Sequence, residues 1–311
     1  MQSLGFSSPF WPLKALASAN QPGVLGIIIG IEGPSYRPLG ATMAIFQDKS
    51  VAGSLSSGCV EADLTHHAIE CLNSGEPKIV RYGVGSGICD IRLPCGGGIQ
   101  ILLVPNPCRE ELAKAEALAT KRQEFTLRVD TDTGQIQIMT CNEQTHAGSV
   151  FSKRFSPDIR FLIFGKGAEA STFARLVNSA GYEHVIHSPD KATLADATFA
   201  QCNANHLTSL KIPEDEVIDD QTAIVLFFHD HEMELQILAT AVQSSAFYVG
   251  AQGSQKAHQA RLSALKKSGT IGNAWNSIRG PIGLIPSARD PRVLAVSVLA
   301  EILEAEQGVV T

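Results

Sequence analysis

The sequence predicts an α/β protein with an N-terminal mixed α/β domain, followed by a Rossmann-like domain whose sheet is mainly parallel. Apolar stretches of strand length alternate with helical patterns along most of the 311 residues. In the second half, an apolar strand over residues 159–164 runs directly into the pattern Gly-x-Gly-x-x-Ala. The predicted domains span residues 1–108 and 158–311, with a linking helix and hairpin over 109–157.

Composition excludes several classes of protein. A net charge of −6 gives a nucleic-acid partner no electrostatic support. The apolar stretch 24–31 is too short to cross a membrane, and the first twenty residues lack the basic and apolar segments of a secretory signal. Seven widely spaced cysteines do not resemble a disulfide framework. We therefore predict a reduced, cytoplasmic protein with neither a membrane nor a nucleic-acid partner.

The elements of the first half follow from local patterns. Residues 24–31 form a buried strand, and 42–46 pairs with the segment around Val51 as a hairpin. Apolar residues recur every fourth position from Val60 to Leu72, which predicts an amphipathic helix ended by Gly75. Further segments follow: strands at 79–82 and 99–104, a helix at 109–122, and a hairpin with its turn at 130–134.

Two glycine-rich segments, residues 53–61 and 93–99, each contain one cysteine. The first lies at the N-terminus of the predicted helix, where free N–H groups attract an anion and lower the pKa of a thiol. Buried structural cysteines in tight turns are the alternative. Glu61 is either a proton donor or a capping acid. The candidate binding residues here are Ser56, Ser57, Gly58, Cys59, Glu61, Cys95, Gly96, Gly97 and Gly98.

The second half contains a nucleotide-type turn. Gly165 permits the turn and Gly167 permits close approach of a phosphate. The acidic ribose ligand is expected about twenty residues later, but Ser188 ends the second strand. Asp190, two residues further on, either replaces that acid or does not. His229 and Asp230 follow a third strand, at the sheet edge where ligands of such folds gather. His231 follows them and invites a metal interpretation, but no third histidine or cysteine stands close by in sequence, so we predict a ligand edge rather than a metal site.

Together these segments resemble the XdhC/CoxI family of molybdenum-cofactor maturation factors. The resemblance rests on residues 37–43, 53–61 and 93–98 in the first half, and on 163–167, 229–230, 247–251, 280–284 and 295–302 in the second. Two positions depart from the family pattern. Ser188 replaces a frequent acid, and Lys166 is bulkier than the small residue often found between the two glycines.

The resemblance implies a chaperone that binds the molybdenum cofactor, as molybdopterin or its dinucleotide form. The chaperone would assist exchange of an oxo ligand for sulfide and pass the cofactor to an apo molybdenum hydroxylase of xanthine dehydrogenase type. A cysteine desulfurase is an implied partner, and a homodimer is plausible. Cys59 and Cys95 are candidate molybdenum contacts, since thiolates suit soft metals. Arg37 either clamps a phosphate or forms an ordinary surface ion pair.

Two other functions remain open from the sequence. The Gly165–Ala170 turn suits an NAD(P)-dependent oxidoreductase, although Ser188 and the lack of an acid–base set disfavour it. A pure interaction scaffold, whose nucleotide fold has lost its ligand, is the third hypothesis.

Overall fold

The structure is a computed structural model that describes residues 8–56, 58, 60–83, 96–140, 148–230, 233–268 and 274–310. It divides into two compact units, Met1–Pro157 and Asp158–Thr311. Within the described residues, no helix combines the length and apolar character needed to span a membrane.

The first unit is built on a five-stranded antiparallel sheet of order β3-β2-β1-β5-β4. Its central strand is the apolar segment that the sequence predicted as buried. The strands are β1 Gly23–Glu32, β2 Thr42–Phe46, β3 Val51–Gly53, β4 Lys78–Gly83 and β5 Gly98–Pro105.

One face of this sheet is covered by helix α2, Glu61–Ser74. Leu64 and Ala68, four residues apart, pack against Val24 and Ile28 of β1. The helix ends where Gly75 takes a left-handed conformation and donates its N–H to the Cys71 carbonyl at 2.8 Å.

The other face packs on α1 (Trp11–Ser18), α3 (Arg109–Thr120) and a second antiparallel sheet of order β7-β6-β8. That sheet contains β6 Phe125–Asp130, β7 Ile136–Met139 and β8 Val150–Phe155. Leu25 of β1 shares one core with Leu112 and Leu127. Residues 109–157 are therefore part of the first unit's core rather than a separate linking segment.

The second unit contains a parallel sheet of order β11-β10-β9-β12-β13, which confirms the predicted fold class. The order reverses between β9 and β12, the position where ligands of doubly wound folds bind. The strands are β9 Arg160–Gly165, β10 Glu183–Ser188, β11 Ala204–His206, β12 Thr222–Phe227 and β13 Tyr248–Ala251.

Helices cover both faces of the parallel sheet. The first core joins α4 and α8 to the sheet and includes Phe173 and Val298; the second includes Leu238 and Leu265 of α6 and α7. The helices are α4 Ala168–Ser179, α5 Lys191–Phe199, α6 Leu235–Ala241, α7 Gln255–Ser268 and α8 Pro291–Val310.

Candidate functional site

The antiparallel sheet brings three predicted site segments to one end of the first unit. In the register, Thr42 faces Ile27, Gly53 faces Met43, and Gly98 faces both Glu32 and Gly83. The β1–β2 loop (33–41), the segment from β3 to α2 (54–60) and the β4–β5 connection (84–97) therefore all leave the sheet at the same end. Arg37, Ser56, Gly58, Glu61 and Gly96–Gly98 share this end, and we call it the loop end. Ser57, Cys59 and Cys95 lie outside the described residues.

The Glu61 carboxylate organises the segment that precedes α2. It accepts hydrogen bonds from Ser54 Oγ at 2.9 Å, from Ser56 N at 2.9 Å and from Ser56 Oγ at 2.5 Å. It also accepts one from Val60 N at 3.2 Å. These bonds satisfy N–H and O–H groups of the segment that leads into the helix, so the carboxylate fixes the conformation of that segment.

The same hydrogen bonds determine the protonation state of the Glu61 carboxyl. Burial raises the pKa of the carboxyl, but the hydrogen bonds from Ser56 and Ser54 more than offset burial and lower it to about 2. The carboxylate therefore stays ionised at neutral pH. An ionised carboxylate that accepts several hydrogen bonds favours a structural role for Glu61 in shaping the loop over that of a proton donor.

Glycines at the loop end fall into two kinds. Gly58 has φ +100°, and a Cβ built there would meet no atom of the described residues within 4 Å. The position of a Cβ on Gly96 is equally open. A Cβ on Gly97, by contrast, would lie 2.1 Å from the Pro34 carbonyl oxygen. Gly97 is therefore needed for contact between two loops, whereas Gly58 and Gly96 border open space.

Arg37 lies on the exposed β1–β2 loop. Ser35 Oγ donates to the Arg37 carbonyl at 2.8 Å and accepts from Arg37 N at 3.3 Å, so the loop backbone is held locally. Within the described ranges, no carboxylate pairs with the Arg37 guanidinium. The surface ion pair that was the alternative role for Arg37 is thus not found there. Tyr36 and Leu39, next to it on the loop, are 56% and 47% exposed.

One interaction beneath the loop end was not foreseen from the sequence. The buried Tyr82 hydroxyl donates to Asp63 Oδ2 at 2.7 Å and joins the end of β4 to the first turn of α2. Burial and this bond raise the pKa of Tyr82. The two residues are nineteen positions apart on different elements, so no local pattern relates them.

In the second unit, a side chain of the same unit is hydrogen-bonded to the glycine turn at 165–170. Gly167 N donates to Thr193 Oγ1 at 2.8 Å, and Thr193 Oγ1 donates to Asp190 Oδ2 at 2.6 Å. Asp190 also accepts from Thr193 N at 2.8 Å as the N-cap of α5. Ser188, which stands at the position of the expected ribose acid, is fully buried.

A carboxylate lies beside the same turn. Glu169 Oε2 is 3.5 Å from the position of a Cβ on Gly167 and 3.8 Å from His229 Nε2. Phe227 pairs with Gly165 in the sheet, so His229 and Asp230 lie at the edge predicted for them. A phosphate at the N-terminus of α4 would meet the charge of Glu169 and an amide already bonded to Thr193. In the part of the chain that the structure describes, no group of three or more His, Cys, Asp or Glu side chains could hold a metal ion.

Comparisons with known proteins fit this two-unit arrangement. Residues 16–83 match the model of the XdhC and CoxI family, and residues 161–302 match that of the XdhC Rossmann domain. A curated relative, the molybdenum cofactor insertion chaperone PaoD of Escherichia coli K12, is 36% identical over 294 residues, covering 93% of this chain and 85% of the relative. The chain belongs to the XdhC and CoxI family. The resemblance inferred from the sequence motifs is confirmed.

Two more distant matches span nearly the whole chain. A probable xanthine dehydrogenase subunit of Bacillus subtilis is 22% identical over 339 residues, covering 96% of this chain and 97% of the relative. A crystal structure described as a xanthine dehydrogenase of Bacillus halodurans superposes with a TM-score of 0.81 at 21% identity, covering 97% of this chain and 96% of the other. At that identity the structural match supports the fold alone.

Proposed function

We propose that this member of the family binds the molybdenum cofactor at the loop end of its first unit and delivers it to an apo molybdenum hydroxylase of xanthine dehydrogenase type. The observation that carries the proposal is that the strands place the starts or ends of three connecting segments, at 33–41, 54–60 and 84–97, at one end of one sheet. That end combines an exposed guanidinium without an ion-pair partner among the described residues, in Arg37, with open backbone at Gly58 and Gly96. A phosphate needs cations or N–H donors, so this arrangement suits the cofactor's phosphate. The relative named as an insertion chaperone adds support.

In this proposal the protein is an accessory factor rather than an enzyme. It assists the exchange of a terminal oxo ligand for sulfide, in which the oxo oxygen leaves as water. A cysteine desulfurase supplies the sulfur as a persulfide, which a thiol reductant reduces to sulfide. Cys59 and Cys95, which lie outside the described residues, are its proposed contacts to molybdenum. The proposed ligand is molybdopterin or its dinucleotide form, and the proposed assembly is a homodimer.

Retention of cofactor tests the binding step. Purified protein is mixed without oxygen with molybdopterin or its dinucleotide, passed through a size-exclusion column and assayed for molybdenum in the protein peak. We expect stoichiometric retention by the wild type and about tenfold weaker binding by Arg37→Gln, since a charge-assisted contact is lost. Lys49→Asn is the matched control, because Lys49 is exposed on the turn at the opposite end of the same sheet. No retention by the wild type at micromolar concentration contradicts the proposal.

The thiols are tested separately. Cys59→Ala and Cys95→Ala should each weaken retention without changing the unfolding curve, whereas Cys108→Ser should change neither. Cys108 is a suitable control because it is a free, exposed thiol. Equal retention by all three variants would assign Cys59 and Cys95 a structural role only.

NAD(P)-dependent oxidoreduction has less support. The Gly167 amide already donates to Thr193 Oγ1, and the Glu169 carboxylate lies beside the same turn, so a dinucleotide phosphate there would lose one donor and meet a negative charge. Asp190, the acid two residues beyond Ser188, already accepts two hydrogen bonds from Thr193 at Oδ2 as the cap of α5, which disfavours it as a ribose ligand.

A further inference from the structure

Lys153 belongs to β8, on the second sheet of the first unit. Its side chain packs against Gly40, where the β1–β2 loop approaches β2, and we call this the loop base. Its Cδ is 2.5 Å, and its Cε 3.3 Å, from the position that a Cβ on Gly40 would occupy. Gly40 has φ +79°, and its N–H donates to the Ile28 carbonyl at 2.8 Å, so the loop base is fixed to β1. The lysine stem can occupy this place only because residue 40 lacks a side chain.

The ammonium of Lys153 has no counter-charge among the residues that the structure describes. There, no side chain or carbonyl forms a hydrogen bond or ion pair with Nζ, and its neighbour is the Phe155 ring, 5.9 Å away at the centroid. Burial lowers the pKa of this lysine. The adjacent Arg154, in contrast, pairs with Glu124 at 2.6 Å. A partly desolvated cation without a partner costs free energy, which a bound anion would offset.

Arg37, three residues before Gly40 on the same loop, is an exposed second cation that has no ion-pair partner among the described residues. The acids at this end have partners already. Glu32 Oε2 accepts from Arg81 at 2.7 Å, and Glu61 is bonded to Ser54 and Ser56. The β1–β2 loop thus has one cation on its exposed part and another under its base, and neither is neutralised by the described residues.

We infer that Lys153 and Arg37 together bind the phosphate or pyrophosphate group of the ligand delivered by this protein. This deepens the function proposed above and rests on it. Arg37 supplies a planar fork that can bind two oxygens, and Lys153 supplies a compact point charge. Lys153 lies outside both segments matched by the family models. The three-stranded sheet therefore contributes to binding as well as to the core.

The test uses Lys153→Met, which keeps an apolar stem over Gly40 and removes the charge. Inorganic pyrophosphate is the first probe, titrated calorimetrically into the full-length protein. We expect Lys153→Met and Arg37→Gln each to weaken binding about tenfold, and the double variant to weaken it further. Arg154→Gln removes the same charge from the neighbouring position of β8. This variant should change the affinity for pyrophosphate less than twofold.

The second probe is molybdopterin, measured by the retention assay. Suppose that the wild type retains the cofactor, and that Lys153→Met binds pyrophosphate and molybdopterin with the same affinity as Arg154→Gln. The proposed role of Lys153 is then overturned, and the proposed function stands. If the wild type retains no cofactor, the proposed function fails, whatever the pyrophosphate result. Lys153→Arg should restore most of the affinity, which loss of packing alone would not explain.

Discussion

The glycine-rich loops of the first unit and the glycine turn of the second contain similar residues in different surroundings. At the turn, Gly167 N is bonded to Thr193 Oγ1, and Glu169 lies beside it. At the loop end, Gly58 and Gly96 border open space, and the guanidinium of Arg37 on the neighbouring loop has no ion-pair partner in the described ranges. A glycine pattern thus indicates where the backbone conformation is unusual. The side chains around the glycines determine whether their N–H groups are free to bind a ligand.

The largest effect is expected where a loop-end glycine serves packing. In Gly97→Ala the new Cβ would lie 2.1 Å from the Pro34 carbonyl oxygen and 2.8 Å from that of Glu32, so backbone must move. We expect a loss of about 3 kcal/mol in the free energy of unfolding of the first unit. Gly58→Ala, with open space but φ +100°, should cost about 1 kcal/mol.

Urea unfolding followed by tryptophan fluorescence separates the two units. The chain has two tryptophans, Trp11 in the first unit and Trp275 in the second. A Trp275→Phe background therefore reports on the first unit alone. Equal losses for Gly97→Ala and Gly58→Ala would contradict the distinction between packing and open glycines.

An intermediate effect is expected at Glu61. Glu61→Gln replaces a charged acceptor of several hydrogen bonds and should cost about 2 kcal/mol at pH 7. Because the folded-state pKa, about 2, lies below the ordinary value of 4.5, the wild-type advantage is complete above about pH 4.5 and disappears as the pH falls toward 2. Unfolding curves of both proteins between pH 2 and 7 measure this. A difference that does not change with pH would mean that the charge of Glu61 contributes nothing.

The smallest effect is expected at the glycine turn. Thr193→Val removes the hydroxyl that accepts from Gly167 N, and should cost the second unit about 1 kcal/mol. A Trp11→Phe background, which leaves Trp275 as the reporter, measures the loss. We expect neither wild type nor variant to bind NADH at millimolar concentration, and both to retain molybdopterin equally. NADH binding by the wild type would instead support the oxidoreductase hypothesis.

The sequence predicted the elements that have strong periodicity. The apolar segment 24–31 became the central strand β1, and the four-residue spacing after Val60 became α2. Strand β8 was missed because Ser152, Lys153 and Arg154 interrupt its pattern, as is common for an edge strand. Helix α5, which begins at the Asp190 cap, was also missed.

For the candidate site, the sequence identified segments but not the roles of single residues. Gly97 and Gly58 differ in the atoms that a Cβ at each position would meet. For Gly97 the nearest is the carbonyl oxygen of Pro34, on a loop distant in sequence. The position of the Lys153 stem depends on the absence of a side chain at Gly40, more than a hundred positions away. Such relations arise from tertiary packing, and local propensity contains no signal for them.

The antiparallel register has a consequence for how this family can diversify. The strands fix where the loops at 33–41, 54–60 and 84–97 begin and end, while the turn at 47–50 leaves the opposite end of the sheet. Substitutions in the loops can therefore change the surface at this end without altering the strand core. Relatives that serve different enzymes should differ most at these three loops and least in the paired strands.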